Sequence, residues 1–157
     1  MKTPIAPKKR ITADTLRELP ADKVKKLFAQ LGPLKVDELQ HDWKFWGRDA
    51  QFPPLDNDWN TWLINAGRGF GKTRCGAEWV REQVKLGHKR IACVASTNSD
   101  IERVMVKGES GFLSVCWKGD KTYKGKDMGF PEWSPTKRSL TWANGAKVEF
   151  YSAEEPE

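Results

Sequence analysis

The stretch that most constrains this chain runs Thr61-Trp62-Leu63-Ile64-Asn65-Ala66-Gly67-Arg68-Gly69-Phe70-Gly71-Lys72-Thr73. Its first six residues are apolar enough to form a short buried strand, three glycines then open a turn, and Lys72-Thr73 begins a helical pattern. That order is a strand–loop–helix phosphate cradle. Glycines at 67, 69 and 71 are expected to turn the backbone through positive φ and bring N–H groups against a polyphosphate. The helix adds unpaired N–H groups and the positive end of its dipole. Lys72 is expected to reach the β- and γ-phosphates and the Thr73 hydroxyl to hold Mg²⁺. The G-x-x-x-x-G-K-[ST] spacing departs at one place, where its first glycine is Ala66. Alanine fits the turn if its φ stays negative. A glycine turn can match such a pattern by chance, but the strand before it and the helix after it supply the required context.

One domain suits the length of 157 residues. A hydrophobic fraction of 38% and a mean hydropathy of −0.68 describe a soluble, polar chain. Its eight tryptophans partly compensate by burying large areas. No apolar run approaches the ~18 residues of a membrane-spanning helix, and the basic N-terminus lacks the apolar core of a secretion signal. The net charge of +6 is compatible with a polyanionic partner such as DNA, without demanding one. Cys75, Cys93 and Cys116 are odd in number and lack metal-ligand spacing. They read as reduced, mostly buried thiols of an intracellular protein.

Residues 1–11 read as a mobile basic arm carrying Lys2, Lys8, Lys9 and Arg10, residues 12–47 as a helical segment, and 48–157 as a partial nucleotide-binding domain. Leu16, Leu19, Val24, Leu27, Phe28 and Leu31 fall at helical spacing, split by Pro20 into two short helices. Val36 to Trp46 is amphipathic, with Leu39, Trp43 and Trp46 on one face. In the irregular stretch that follows, Gln51 has an amide that could read adenine, donating and accepting at once, and Arg48 could stack on a base or meet a phosphate. Spacing leaves open the alternative that both are ordinary surface residues of a proline-rich connector. Lys72 to Leu86 reads as a helix stopped by Gly87, with Cys75, Trp79, Val80 and Val84 inward. Lys89 to Ala95 reads as a strand lying centrally in a parallel sheet, which completes a βαβ unit. Ser96-Thr97-Asn98-Ser99-Asp100 looks like a helix cap before a short helix at Ile101–Val106. Gly108 to Gly129 is glycine- and lysine-rich and is expected to loop over the surface. Asn144-Gly145 predicts a hairpin between Ser139–Trp142 and Ala146–Tyr151. His41 and His88 have no plausible ligand partners, and the tryptophans around the cradle read as core before they read as base-stacking platforms.

An ATPase needs more than a cradle: an acidic residue at the end of a second buried strand holds Mg²⁺, and a neighbouring carboxylate orients the attacking water. The strand ending at Ala95 runs into Ser96-Thr97-Asn98 without one. Glu154 and Glu155 follow Val148-Glu149-Phe150-Tyr151-Ser152-Ala153, whose alternation suits a half-exposed strand better than the buried one required. The sequence stops at Pro156-Glu157 with no capping element, as a chain cut short would.

Several motifs in register then carry a family likeness. The array Trp43, Trp46-Gly47-Arg48, Gln51-Phe52-Pro53-Pro54, Trp59 and Trp62-Leu63, followed by Gly67 to Arg74 and by Gly76-Ala77-Glu78-Trp79-Val80, resembles the large terminase subunit of tailed bacteriophages. Val104-Met105-Val106, Gly108-Glu109-Ser110-Gly111 and Tyr151-Ser152-Ala153-Glu154-Glu155-Pro156 extend the likeness to the end of the chain. The resemblance implies the front of an ATPase domain: an α/β fold, a P-loop NTPase (RecA-like) core with N-terminal helices, incomplete before the acidic strand and without the nuclease domain. It implies ATP and Mg²⁺ as cofactors, and double-stranded DNA, a small terminase subunit and a portal protein as partners in the cytoplasm of a bacterial host. It also implies a homo-oligomer as a form of the intact motor. Under it, Gln51 lies at the adenine, while Arg48 keeps its two options of stacking on the base or meeting a phosphate. Gly67, Arg68, Gly69, Phe70, Gly71, Lys72, Thr73 and Arg74 line the nucleotide site, with Lys72 and Arg68 acting on the γ-phosphate and Thr73 on Mg²⁺. ATP binding with little or no hydrolysis is the expected behaviour. The competing readings are another P-loop fragment, helicase-like, with DNA-stimulated turnover, and a non-enzymatic basic module whose cradle is vestigial.

Overall fold

The computed structural model describes residues 12–54 and 59–154, so the basic arm at 1–11 and Glu155 lie outside the described residues. The chain forms two compact units, one up to Phe52 and one from Pro53 onward.

The first unit is a run of short helices: α1 (Ala13–Arg17), α2 (Ala21–Leu31), α3 (Pro33–Gln40) and α4 (Trp43–Trp46), then a 3₁₀ turn at Asp49–Gln51. Thr12 caps α1 in a reciprocal capping box with Thr15. Pro20 precedes α2, and Gly32, at φ 75°, lets the chain leave α2 and start α3 at Pro33. The amphipathic stretch expected as one piece from Val36 to Trp46 is therefore two helices, broken at His41-Asp42 because the Asp42 carboxylate caps the Lys44 amide at 2.9 Å. Trp46 does not join an inward face. Its side chain is 49% exposed while Phe45 is buried, and its indole N–H donates to the Leu39 carbonyl at 2.9 Å. Gly47 is required here, since an added Cβ would lie 2.6 Å from the Phe52 ring and 2.9 Å from that of Trp43.

The second unit is a four-stranded mixed sheet with helices on one face. Its elements are α5 (Lys72–Leu86), β1 (Arg90–Ala95), a single turn α6 (Asn98–Asp100) running into a π-helical turn (Ile101–Val106), α7 (Phe112–Val115), β2 (Glu132–Ser134), β3 (Ser139–Thr141) and β4 (Lys147–Ser152). Strand order is β1-β4-β3-β2. β1 and β4 are parallel with Arg90 opposite Lys147 and Ala95 opposite Ser152, and the other two pairs are antiparallel. The Asn-Gly hairpin forms between β3 and β4: Gly145 takes φ 84° and the Asn144 side-chain oxygen accepts from Ala146 N–H at 2.9 Å. β1 lies at the edge of this sheet rather than centrally, and β4 holds the central place.

Two further expectations change. Residues 61–66 belong to no strand of the sheet, although alternate ones are half-buried. A strand is defined by its neighbour's hydrogen bonds, and this run enters no ladder among the described residues. The segment from Gly108 to Gly129 is not a surface loop throughout, because Phe112, Val115, Cys116 and Met128 are all in the core. Gly111 makes that possible: a Cβ there would meet the Met105 and Val106 carbonyl oxygens at 2.7 and 2.8 Å. The chain can therefore fold back hard against the π-helical turn and insert Phe112.

One hydrophobic core joins the covered sheet face to the helices. Val148 and Phe150 from β4, Leu140 from β3 and Trp142 beyond it meet Ala77, Val80 and Val84 of α5 and Ile101 and Val106 of the π-helical turn. Phe150 stands between Phe112 and Trp133, with ring centroids 5.6 and 5.5 Å away, both edge-on. Each such fully buried side chain contributes roughly 1.5–3 kcal/mol.

Candidate functional site

The glycine-rich loop ends where α5 begins. Gly69 and Gly71 are in the left-handed region, at φ 80° and 93°, so two of the three glycines make the turn and Gly67 does not need positive φ. Ala66 also stays out of that region, since Arg138 is the one non-glycine residue with positive φ among the described residues. That is the condition under which alanine can replace glycine at this point. Gly71 is the N-cap residue of α5 and offers no side-chain cap. The first backbone bond of the helix runs from the Cys75 N–H to the Gly71 carbonyl at 2.9 Å. The helix end therefore presents backbone N–H groups, beginning with those of Lys72 and Thr73, toward the loop.

Lys72 closes the loop on itself. Its ammonium donates to the Ala66 carbonyl at 2.8 Å and to the Gly67 carbonyl at 2.9 Å. Two of its three donors are spent there and the third remains. Gly67, Arg68 and Gly69 are exposed, as are Lys72 and Thr73, while Phe70 is half-buried. No atom lies within 4 Å of a Cβ built on Gly67 or Gly69, so the loop rims open space. Arg68 has no hydrogen-bond or ion-pair partner among the described residues.

Arg74 is committed differently. Its guanidinium lies 2.7 Å from Glu78, which is 3% exposed. Glu78 also takes Arg81 at 3.0 Å, and Arg81 makes a two-pronged contact with Asp120, both distances 2.6 Å. Lys85 reaches the same carboxylate at 2.9 Å. A continuous charged chain thus runs along α5 from its first turn to its last. Burial alone would raise the Asp120 carboxyl and lower the Arg81 guanidinium. Their mutual hydrogen bonds and opposite charges outweigh it, holding Asp120 below the usual carboxylate range and raising Arg81. Burial also pushes the neighbouring Cys116 thiol up to about 12.

Arg48 and Gln51 belong to the other unit, where the structure brings them together in the 3₁₀ turn. The Gln51 side-chain oxygen accepts from the Arg48 backbone N–H at 2.9 Å and from its Nε at 3.4 Å, and Gln51 is 7% exposed. Glu154 is exposed just past β4, where its backbone N–H reaches the Ser152 hydroxyl at 3.3 Å. No group of three or more His, Cys, Asp or Glu side chains that could hold a metal occurs among the described residues. No helix among them is long and apolar enough to cross a membrane.

A family model described as terminase large subunit, T4likevirus-type, N-terminal, matches residues 63–157. The chain belongs to this family. The match begins inside the run before the loop and takes in α5, the charged chain and the whole sheet, so the terminase likeness rests on the second unit from Leu63 onward. No curated protein and no solved structure matches. As a terminase chain, the protein has a role in packaging bacteriophage DNA. Sequence reasoning missed the pairing of α5 with Asp120 in this terminase. Arg74, Glu78 and Arg81 stand at helical i, i+4 and i+3 spacings that signal ion pairs, but nothing marks their partner 39 residues beyond Arg81.

Proposed function

We propose that the loop Gly67–Thr73 binds the polyphosphate of ATP with Mg²⁺, in an α/β P-loop core, as the nucleotide-binding part of a terminase motor that drives double-stranded DNA into a procapsid. The observation that carries this reading is the position of Lys72: its ammonium rests on the Ala66 and Gly67 carbonyls at the mouth of a 15-residue helix. A cation parked on two neutral acceptors, beside outward backbone N–H groups, is set up to exchange them for an anion. The residues fit the phosphate end. Gly69 and Gly71 allow the backbone to approach closely, Arg68 has an uncommitted guanidinium, and nothing fills the space against Gly67 and Gly69. For Mg²⁺ this chain offers the exposed Thr73 hydroxyl, with the remaining ligands to come from phosphate and water.

When bound, ATP supplies a phosphoanhydride whose cleavage releases the free energy for motion. The chain's own part is to bind and orient. Lys72 would exchange the loop carbonyls for the β- and γ-phosphates, Arg68 would hold the γ-phosphate and the Thr73 hydroxyl would serve the cation. Gln51 and Arg48 are the candidates for the base. The small terminase subunit and the portal protein are the partners this reading brings with it, together with further copies of the chain.

Titration with MgATP, followed by tryptophan emission or calorimetry, tests the reading against Lys72→Ala. Saturable binding weakened at least tenfold by the substitution is expected. Equal binding by both proteins, or none by a wild-type chain shown to be folded, overturns it.

A further inference from the structure

The residues from Trp117 to Met128 form a small closed loop with an unusual charge. Lys121 and Asp127 face each other in an isolated antiparallel bridge. Thr122 N–H donates to the Lys126 carbonyl at 2.8 Å, Gly125 N–H to the Thr122 carbonyl at 2.8 Å, and Lys126 N–H to the Thr122 hydroxyl at 3.0 Å. Gly125, at φ 77°, makes the tip. Both feet are buried: Asp120 at 3% exposure carries Arg81 and Lys85, and Met128 at 0% sits in the core. A side brace comes from Tyr123, whose backbone N–H donates to the Lys85 carbonyl at 3.1 Å and whose hydroxyl donates to Glu82.

On this braced loop Lys118, Lys121, Lys124 and Lys126 are all exposed. None of their ammonium groups has a hydrogen-bond or ion-pair partner among the described residues. Elsewhere in the unit most lysines are spent locally, as Lys85 on Asp120, Lys107 on Glu102 and Lys147 on Glu149, and Lys89 on the Asn144 carbonyl, while Lys137 stands exposed by itself away from the loop. The two acids of the loop do not offset the four cations. Asp120 is consumed beneath by Arg81 and Lys85, which leaves Asp127 as the loop's one exposed carboxylate. A solvated basic stretch would more simply be a flexible tail. Here the backbone is fixed before any partner arrives, so little ordering entropy is lost on contact.

We propose that this loop is a contact surface for the phosphate backbone of duplex DNA. The proposal rests on the DNA-packaging reading and deepens it by assigning the surface. Four ammonium groups without a planar fork suit phosphates as point charges and carry no base readout. That is what a protein moving along DNA of any sequence requires. The loop meets α5 at Glu82 and Lys85, while the nucleotide loop meets it at Lys72. At a rise of about 1.5 Å per residue the two lie about 15–20 Å apart along one helix.

Fluorescence anisotropy with a labelled duplex of about 30 base pairs and arbitrary sequence tests this over 50–200 mM salt. Four phosphate contacts give a slope of log K against log salt near −3.6, a fall of roughly 150-fold across that range. Changing Lys118, Lys121, Lys124 and Lys126 to Gln should remove most of that slope. A charge-matched variant, with Gln at Lys23, Lys25, Lys26 and Lys35, should keep it. An unchanged slope in the loop variant overturns the assignment while DNA binding itself survives. Equal losses in both variants overturn it as well, since attraction would then follow net charge alone. If the folded wild-type chain binds no duplex, the assignment fails together with its DNA-packaging premise for this unit, whereas MgATP binding is read separately. Lys72 is untouched in both variants, so nucleotide affinity should stay the same in each.

Discussion

Replacing Asp120 with alanine removes a carboxylate that takes Arg81 through two contacts of 2.6 Å, Lys85 at 2.9 Å and the Trp117 N–H at 3.2 Å. Arg81 keeps Glu78 at 3.0 Å, and Lys85, whose side chain is 23% exposed, can turn to water. The uncompensated part is therefore one face of a guanidinium that is 4% exposed. Breaking a buried ion pair by removing one partner costs about 3–5 kcal/mol. With a urea slope near 1.5 kcal/mol per molar, the midpoint should fall by about 2–3 M. Equilibrium unfolding followed by tryptophan emission reads this. The reasoning also fixes the sign with pH. Asp120 is depressed in the folded state, so its contribution is complete above the ordinary carboxylate pKa of about 4 and disappears as pH falls through the lower folded value. The gap between wild type and Asp120→Asn should therefore be flat from pH 5 to 8 and close below about pH 4. Changing Arg81 to Met together with Asp120 to Leu should recover much of the loss, because no buried charge is left over and Glu78 retains Arg74. A loss under 1 kcal/mol for Asp120→Ala, or a gap that widens in acid, would refute the account.

Gly111→Ala should lower stability by about 2 kcal/mol or more in the same unfolding assay, since its Cβ meets backbone oxygens that cannot yield. Gly76→Ala should do the opposite, adding about 0.5–1 kcal/mol, because that glycine is exposed inside α5 with nothing within 4 Å of an added Cβ. Gly145→Ala should cost about 1 kcal/mol through its φ of 84°, with no steric contact to blame.

How much of this could be read from the residues depends on how local each cause is. α5 is bracketed by Gly71 and Gly87 and carries its inward residues at regular spacing, so its limits are visible in the chain. The Asn144-Gly145 turn announces its hairpin for the same reason. By contrast, Phe112, Val115, Cys116 and Met128 are scattered among glycines and lysines without a period, and only the tight approach at Gly111 turns them inward. β2 is three residues long, too short to show alternation. The run before the cradle reads as a strand by composition, yet a ladder belongs to two chains of backbone and one run cannot announce the second. The cradle residues were legible because phosphate binding depends on backbone shape within a few residues. The Arg81–Asp120 pair was not, as its partners meet only through the fold.

The placement of the three cysteines has a practical consequence. Cys75 and Cys116 are buried, and Cys93 faces the core from the edge strand. Burial pushes the Cys93 thiol up to about 11 and Cys116 to about 12, so near neutral pH almost no thiolate exists for a reagent to meet. Alkylation of the buried Cys75 and Cys116 then waits on transient openings, so its rate becomes a clock for local breathing, with the half-buried Cys93 as the more accessible reference. Cys75 sits one turn into α5, Cys116 beside the Arg81–Asp120 pair and Cys93 against the parallel strand pair. Timing Cys75 and Cys116 against Cys93 by mass spectrometry would rank which part of the second unit opens first, using probes the chain already contains.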